Sequence, residues 1–280
     1  MIVDFHTHIF PPSIVQDRER YLADPTFREL YGDSKAKLAT AEDLLPSMDL
    51  AGVAISVVLG FAWTDAETCR MHNDYLLEVA ARSNGRLVAF CSVQPAGQPD
   101  AARQEVERCA RAGARGLGEL RPANQGWDLE KGADAGVLAE AALEHDLVLL
   151  FHVSEPVGHS YPGKRGLSLQ AFYAFREAWP GVKCVGAHWG GGLPLFALMP
   201  EVLTVVRATY FDTAATGFLY SPDVFRVGLE LAGADRVVFG SDYPLISQIE
   251  ARRAVQTSGL SRDAVDLVLG ENARLLLGIQ

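Results

Sequence analysis

Residues 87–152 read LVAFCSVQPAGQPDAARQEVERCARAGARGLGELRPANQGWDLEKGADAGVLAEAALEHDLVLLFH. Three short apolar runs, at 87–92, 115–120 and 147–152, alternate with two longer stretches, 100–112 and 134–145, whose apolar residues recur at helical spacing. The short runs predict buried strands and the stretches between them predict helices. Strands joined this way pair in parallel, because parallel neighbours need a crossover connection. Working outward, the same pattern predicts strands at 2–5, 53–59, 183–188, 209–212 and 236–240, with helices at 41–51, 66–83, 168–178, 222–232 and 263–276. Asn84 and Gly85 mark the end of one helix and Pro222 the start of another. Eight parallel strands with crossover helices in roughly 250 residues specify an α/β protein of the (β/α)8 TIM barrel type, whereas a doubly wound open sheet would use fewer strands. Residues 9–40, between the first strand and the first helix, are too long for a bare turn. They predict a capping loop over the barrel mouth.

The composition agrees. With 280 residues, 49% hydrophobic and 21% charged, the chain is that of a globular protein and excludes disorder, collagen and coiled coil. No linker or short repeat divides it, so residues 1–280 are expected to form a single domain. A formal net charge of −10 argues against nucleic acid or an anionic membrane as partner. No long uncharged apolar window suggests a membrane span, and MIVDFHTHIF does not read as a signal peptide. The four cysteines form no CxxC pair, which points to reduced thiols in the cytoplasm. A homodimer burying barrel helices is expected from base rates.

Catalytic residues of such a barrel come from the C-terminal ends of its strands. That ring carries His6 and His8 after the first strand, Glu119 on the fourth, His152 on the fifth, His188 on the sixth and Asp242 after the eighth. Four of the seven histidines fall there, where chance would place roughly half of one. His6 and His8, two residues apart on a strand, direct both imidazoles the same way, which suits one metal ion. A nitrogen from His152 and a carboxylate oxygen from Asp242 would complete a zinc-like site. His188 is a further ligand or a donor to the developing oxyanion. Glu119 bridges a second metal, orients a ligand or pairs with an arginine. Asp242 is also the natural general base. His72 and His145, on helices, read as scaffold.

The segment GHSYPGK, residues 158–164, has phosphate-loop spacing, but Arg165 stands where Ser or Thr must reach magnesium, and Pro162 removes a backbone donor. It reads instead as a loop over the site, with His159, Tyr161 and Lys164 able to touch substrate. Gly116-Leu117-Gly118 lacks the third glycine of a dinucleotide fingerprint, since Arg121 occupies its place.

The segments DFHTHIFPP, SMDLAGVAISVVLG, GARGLGELRP, VLLFHVSEP, VKCVGAHWGG, DRVVFGSDYP and GENARLLLGI, in that order, resemble the amidohydrolase superfamily, in particular its amidohydrolase-2 branch. The resemblance runs from residue 2 to about 278. It implies a barrel with a divalent metal, usually zinc, on His6, His8, His152 and Asp242, and with His188 catalytic beside it. No lysine ends the fourth strand, so a carboxylated-lysine bridge is not available. Glu119 stands where TatD-like hydrolases carry a bridging glutamate, which leaves one metal or two open. Decarboxylases of the branch clamp substrate carboxylates with arginine, and Arg121 is the arginine placed near the mouth.

These readings lead to an expected metal-dependent hydrolase of a small-molecule amide, ester or lactone bond, with Zn2+, one ion or two, activating water and Asp242 taking its proton. The alternative is a metal-dependent decarboxylase of an unsaturated or aromatic acid on the same residues, since one barrel hosts many chemistries.

Overall fold

The computed structural model describes residues 1–130, 133–164 and 166–279, so Arg165 lies outside the described residues. Eight strands form one parallel sheet: β1 (Val3–His8), β2 (Ile55–Leu59), β3 (Leu87–Cys91), β4 (Gly116–Leu120), β5 (Val148–Phe151), β6 (Cys184–Gly186), β7 (Tyr210–Asp212) and β8 (Val237–Val238). Each pairs with the next in chain order. The first and last are joined as well: the Phe5 N–H donates to the carbonyl of Phe239 at 2.7 Å, that of Asp242 to His6 at 2.9 Å, and that of His8 to Tyr243 at 2.7 Å. The sheet therefore closes into the (β/α)8 TIM barrel that the sequence pattern predicts.

Its strands are apolar on both faces because both are covered. Val3, Phe5, Val57, Leu59, Phe90, Val148, Leu150 and Val185 form one buried cluster, and a larger one packs the opposite faces under the helices. Strict alternation would put Phe5 and His6 on opposite faces of β1. The pairing of β1 with β2 shifts register between Asp4 and Thr7, and that of β4 with β5 shifts between Leu117 and Leu120. Such irregularities re-aim side chains. Here they lie on the two strands that carry His6 and Glu119.

The helices at Ala41–Ala51, Ala66–Arg82, Pro99–Arg111, Ala133–Glu144, Leu169–Ala178 and Asp223–Ala232 agree with expectation to within a residue or two. Pro200–Arg207 and Gln248–Gln256 are helices that the spacing does not predict. Residues 9–40 cap the mouth as expected and contain three short helices, Pro12–Gln16, Arg18–Tyr21 and Pro25–Tyr31. Phe10, Ile14 and Phe27 from this cap bury against Phe61 and Trp63 after β2. Asp24 joins the two, capping its own helix through the Thr26 and Phe27 N–H groups and accepting from the Thr64 hydroxyl at 2.7 Å. Among the described residues no helix is long and apolar enough to cross a membrane.

Candidate active site

The six residues of the sequence-predicted ring meet at the barrel mouth. Nε2 of His6 lies 3.1 Å from Nε2 of His8, 3.6 Å from Oδ1 of Asp242 and 3.9 Å from Oε1 of Glu119. Nε2 of His8 is 3.4 Å from Asp242 and 3.8 Å from Oε2 of Glu119. On the far side of Glu119, its Oε1 accepts from Nδ1 of His152 at 2.8 Å, with Nε2 of His188 at 3.3 Å. Glu119 thus stands between the two histidine pairs. His152 faces Glu119 and His188 through Nδ1, rather than reaching the His6–His8 pair as the third nitrogen of one site.

Asp212, at the end of β7, is the residue that sequence reasoning misses. Its Oδ2 accepts from Nδ1 of His6 at 2.8 Å, and its Oδ1 accepts the backbone N–H of His188 at 2.8 Å. With its proton committed to Nδ1, neutral His6 presents a bare Nε2 to the cluster. The signal in the sequence is an acidic residue closing an otherwise apolar strand, YFD.

His188 is expected inside a strand running to 188, but β6 stops at Gly186. His188 and Trp189 have φ of 56° and 58°, and Gly190 and Gly191 continue the left-handed turn. A side chain at Gly190 would strike the ring of Phe211 at 2.7 Å, and one at Gly191 the carbonyl of Ser154 at 2.8 Å. Two non-glycine residues in this region cost roughly 1–2 kcal/mol each. The Asp212 bond to the His188 N–H and the bond from Nε1 of Trp189 to the Thr216 hydroxyl, 2.9 Å, hold them there.

The electrostatics follow from carboxylates buried among imidazoles. Burial opposes a charge on His6, yet Asp212, Asp242 and Glu119 push its pKa up to about 10. His188 is likewise buried, and Glu119 and Asp242 raise it to about 8. Burial and the Arg121 charge push His152 down to about 4. Although burial works the other way, the histidines hold Glu119 and Asp242 below the usual carboxylate range. Donor atoms of His6, His8 and Glu119, of His6, His188 and Asp242, and of Glu119, His152 and His188 each gather within 4.8 Å. Nδ1 of His8 and Nε2 of His152 are buried with no protein partner among the described residues. Imidazole and carboxylate donors in this number fit a divalent cation, which would replace protons that the carboxylates otherwise hold on the rings.

Above the cluster opens a cavity of about 460 Å³. Tyr31, Phe61, Phe218 and Leu245 supply apolar wall, and Arg121 and His159 also line it. Arg121 is 2% exposed, and one guanidinium nitrogen donates to the carbonyl of Gly163 while Nε has no protein partner among the described residues. His159 sits at the exposed rim, on the loop that the phosphate-loop spacing marks. His72, as expected, is scaffold: it accepts from Nε1 of Trp63 at 3.1 Å and donates to the carbonyl of Ile9 at 2.8 Å.

The Amidohydrolase family model (Amidohydro_2) matches residues 3–279. The 6-methylsalicylic acid decarboxylase of Penicillium expansum is 24% identical over 281 residues, covering 86% of this chain and 84% of that protein. The solved structure of 5-carboxyvanillate decarboxylase from Sphingomonas paucimobilis has a TM-score of 0.80 at 18% identity, covering 100% of this chain and 99% of that one. The 5-carboxyvanillate decarboxylase of Novosphingobium aromaticivorans, complexed with manganese and 4-hydroxy-3-methoxy-5-nitrobenzoic acid, has a TM-score of 0.81 at 16% identity, covering 100% and 96%. At these identities the structures establish the fold.

All three are decarboxylases of aromatic acids, which corrects the expectation of a hydrolase opening an amide, ester or lactone bond. The physical reason is that histidines and carboxylates at strand ends serve a cation and a proton equally well for either bond, so those residue types do not separate the two reactions. A divalent metal stands as the cofactor, and in the Novosphingobium protein it is manganese.

Proposed function

This chain belongs to the amidohydrolase family, and from that premise we propose that it is a metal-dependent decarboxylase of an aromatic carboxylic acid. The observation that carries the reading is one cavity with an aromatic wall at Tyr31 and Phe61 and a floor where His188 stands beside the carboxylates of Glu119 and Asp242. The aromatic acid named for the Penicillium relative supports it.

His6, His8 and Asp242 would hold a cation, with Glu119 and His152 alongside. When bound, it supplies a Lewis acid that polarises oxygen ligands, and Zn2+ and Mn2+ both suit imidazole and carboxylate donors. We assign one ion. The guanidinium of Arg121 faces the same space and is the group to grip a substrate carboxylate. The flat wall orients the ring and keeps water from it.

In the reaction a ring carbon gains a proton, its bond to the carboxyl carbon breaks, and carbon dioxide leaves with the ring's electrons restored. The proton comes from the His188–Asp242 pair. Nδ1 of His188 donates to the carbonyl of Ala214 at 3.2 Å, and its Nε2 faces Glu119 at 3.3 Å. With an acceptor at each nitrogen, the ring holds both protons near neutral pH, and Asp242 lies in the same donor group to stabilise that charge and relay it.

We carry a single barrel domain over residues 1–280, a homodimer and a cytoplasmic location as parts of the same reading; four free, buried cysteines support a reducing compartment. The test is carbon dioxide release from 6-methylsalicylate, 2,6-dihydroxybenzoate and 5-carboxyvanillate by protein loaded with zinc or with manganese. Release from at least one is expected. No release from any of them at stoichiometric metal sinks the reading.

A further inference from the structure

The chain has five lysines, and their placement is uneven. Lys35 and Lys37 line the cavity from the capping segment, and Lys164 follows Gly163, which lines it from the loop after β5. Lys183 pairs with Asp146 at 2.7 Å. Lys164 donates to the carbonyls of Val157 and His159 at 2.8 and 2.6 Å, so its ammonium holds its own loop in shape. Among the described residues Lys35 and Lys37 form no ion pair. Asp33, beside them on the cavity wall, accepts the backbone N–H of Lys35 at 2.8 Å.

The segment that presents these two lysines is built rather than loose. The guanidinium of Arg18 donates to the carbonyl of Asp33 at 3.0 Å and to that of Ala36 at 2.7 Å, and the Ala36 N–H closes a turn onto Asp33 at 2.9 Å. Two ammonium groups are thereby held on a fixed backbone at the entrance of a cavity in a protein of net charge −10. At the other end lie the cation site and Arg121, which together suffice for one carboxylate.

We infer that the substrate is a dianionic aromatic acid, whose reacting carboxylate reaches the floor and whose second acidic group is received by Lys35 and Lys37. The inference rests on the decarboxylase reading for which group reacts, but on the lysines alone for the second anion. Lys35 and Lys37 are then specificity-determining residues, and exposed ammonium groups of this kind draw in anions in a salt-dependent way.

Calorimetric titration of the manganese-loaded protein with benzoate, isophthalate and terephthalate tests it without requiring turnover. One of the two dicarboxylates is expected to bind roughly five- to tenfold more tightly than benzoate, the order of two exposed ion pairs, and less so as salt is added. In Lys35→Gln/Lys37→Gln the ratio should collapse toward one, and in Lys35→Glu/Lys37→Glu it should invert. Equal affinity for mono- and dicarboxylates, no binding of either, or a preference that survives both double variants overturns the inference. If no aromatic acid releases carbon dioxide while the preference tracks the lysines, the decarboxylase reading fails and the second-anion site stands. If carbon dioxide is released without any such preference, the inference alone falls.

Discussion

Oδ2 of Asp212 lies 2.8 Å from Nδ1 of His6, and both side chains are fully buried. The carboxylate fixes which nitrogen of His6 carries the proton, and its other oxygen anchors the turn that delivers His188. Asp212→Asn keeps an oxygen for the His188 N–H but loses the charge that sets the His6 tautomer. Loss of a carboxylate behind a metal-bound histidine costs about 10–100-fold in metal affinity. Competition titration with a chelating dye should show that loss, and an unchanged affinity would refute the role assigned to Asp212.

Metal uptake should be a proton exchange. Against the effect of burial, carboxylates push His6 up to about 10, so near neutral pH its ring holds a proton that a cation must displace from the ligand atom. Binding is therefore expected to strengthen as pH rises, by up to about tenfold per unit for each proton released. Calorimetry of metal binding at pH 7 in buffers of different ionisation enthalpy reads the proton count directly. A binding enthalpy independent of buffer would contradict it.

His188 is expected to fail differently from the metal ligands. His188→Gln should reduce carbon dioxide release by about 100-fold or more, the scale of a lost general acid, while leaving metal per chain near wild type. Asp242→Asn should lower both, since Asp242 is also 3.4 Å from His8 and 3.6 Å from His6. Elemental analysis beside initial rates separates the two patterns. Full activity in metal-replete His188→Gln would remove His188 from the chemistry.

Much of this site is legible in the sequence because barrel geometry turns position into meaning. A histidine at 6, 8, 152 or 188 stands at or just past the end of a strand, and strand ends open on one face. Asp212 escapes because it acts through His6 rather than into the cavity. The turn at His188 escapes because VKCVGAHW continues an apolar run, and only the glycines after it betray the change of hand. Pro200–Arg207 is missed as a helix since Val202, Thr204, Val205 and Val206 are β-branched and read against helix until their packing decides. Lys35 and Lys37 look like solvated loop residues until the cap folds over the mouth.

Gly163→Ala should loosen the roof. Gly163 has φ of 91°, and an added methyl would meet Leu30 at 2.8 Å and a guanidinium nitrogen of Arg121 at 3.0 Å. The Gly163 N–H also donates to Glu29 of the cap at 2.9 Å while its carbonyl accepts from Arg121, so the loop is pinned on both sides. A left-handed alanine costs ~1–2 kcal/mol locally. Arg121 must then shift, and the expected result is a higher KM with a smaller change in kcat. Steady-state kinetics showing an unaltered KM would mean that Gly163 does not position Arg121.

The fold's acid sensitivity should trace in part to His72. Burial, with a smaller push from His8, takes its pKa from an ordinary 6.5 down to about 4, although the carbonyl of Ile9 pulls the other way. Between Trp63 and Ile9 the ring has one acceptor and one donor nitrogen in use, which only the neutral form satisfies. The unfolded chain binds a proton here below pH 6.5 and the folded chain does not until about pH 4. The stability contributed is therefore complete above pH 6.5 and declines as pH falls toward 4, by roughly 3 kcal/mol in all. Urea unfolding at several pH values in this window should give a steeper decline for the wild type than for His72→Gln, which keeps a donor and an acceptor but cannot titrate. Parallel declines for the two proteins would place the acid sensitivity elsewhere, in the carboxylates of the site rather than under the cap.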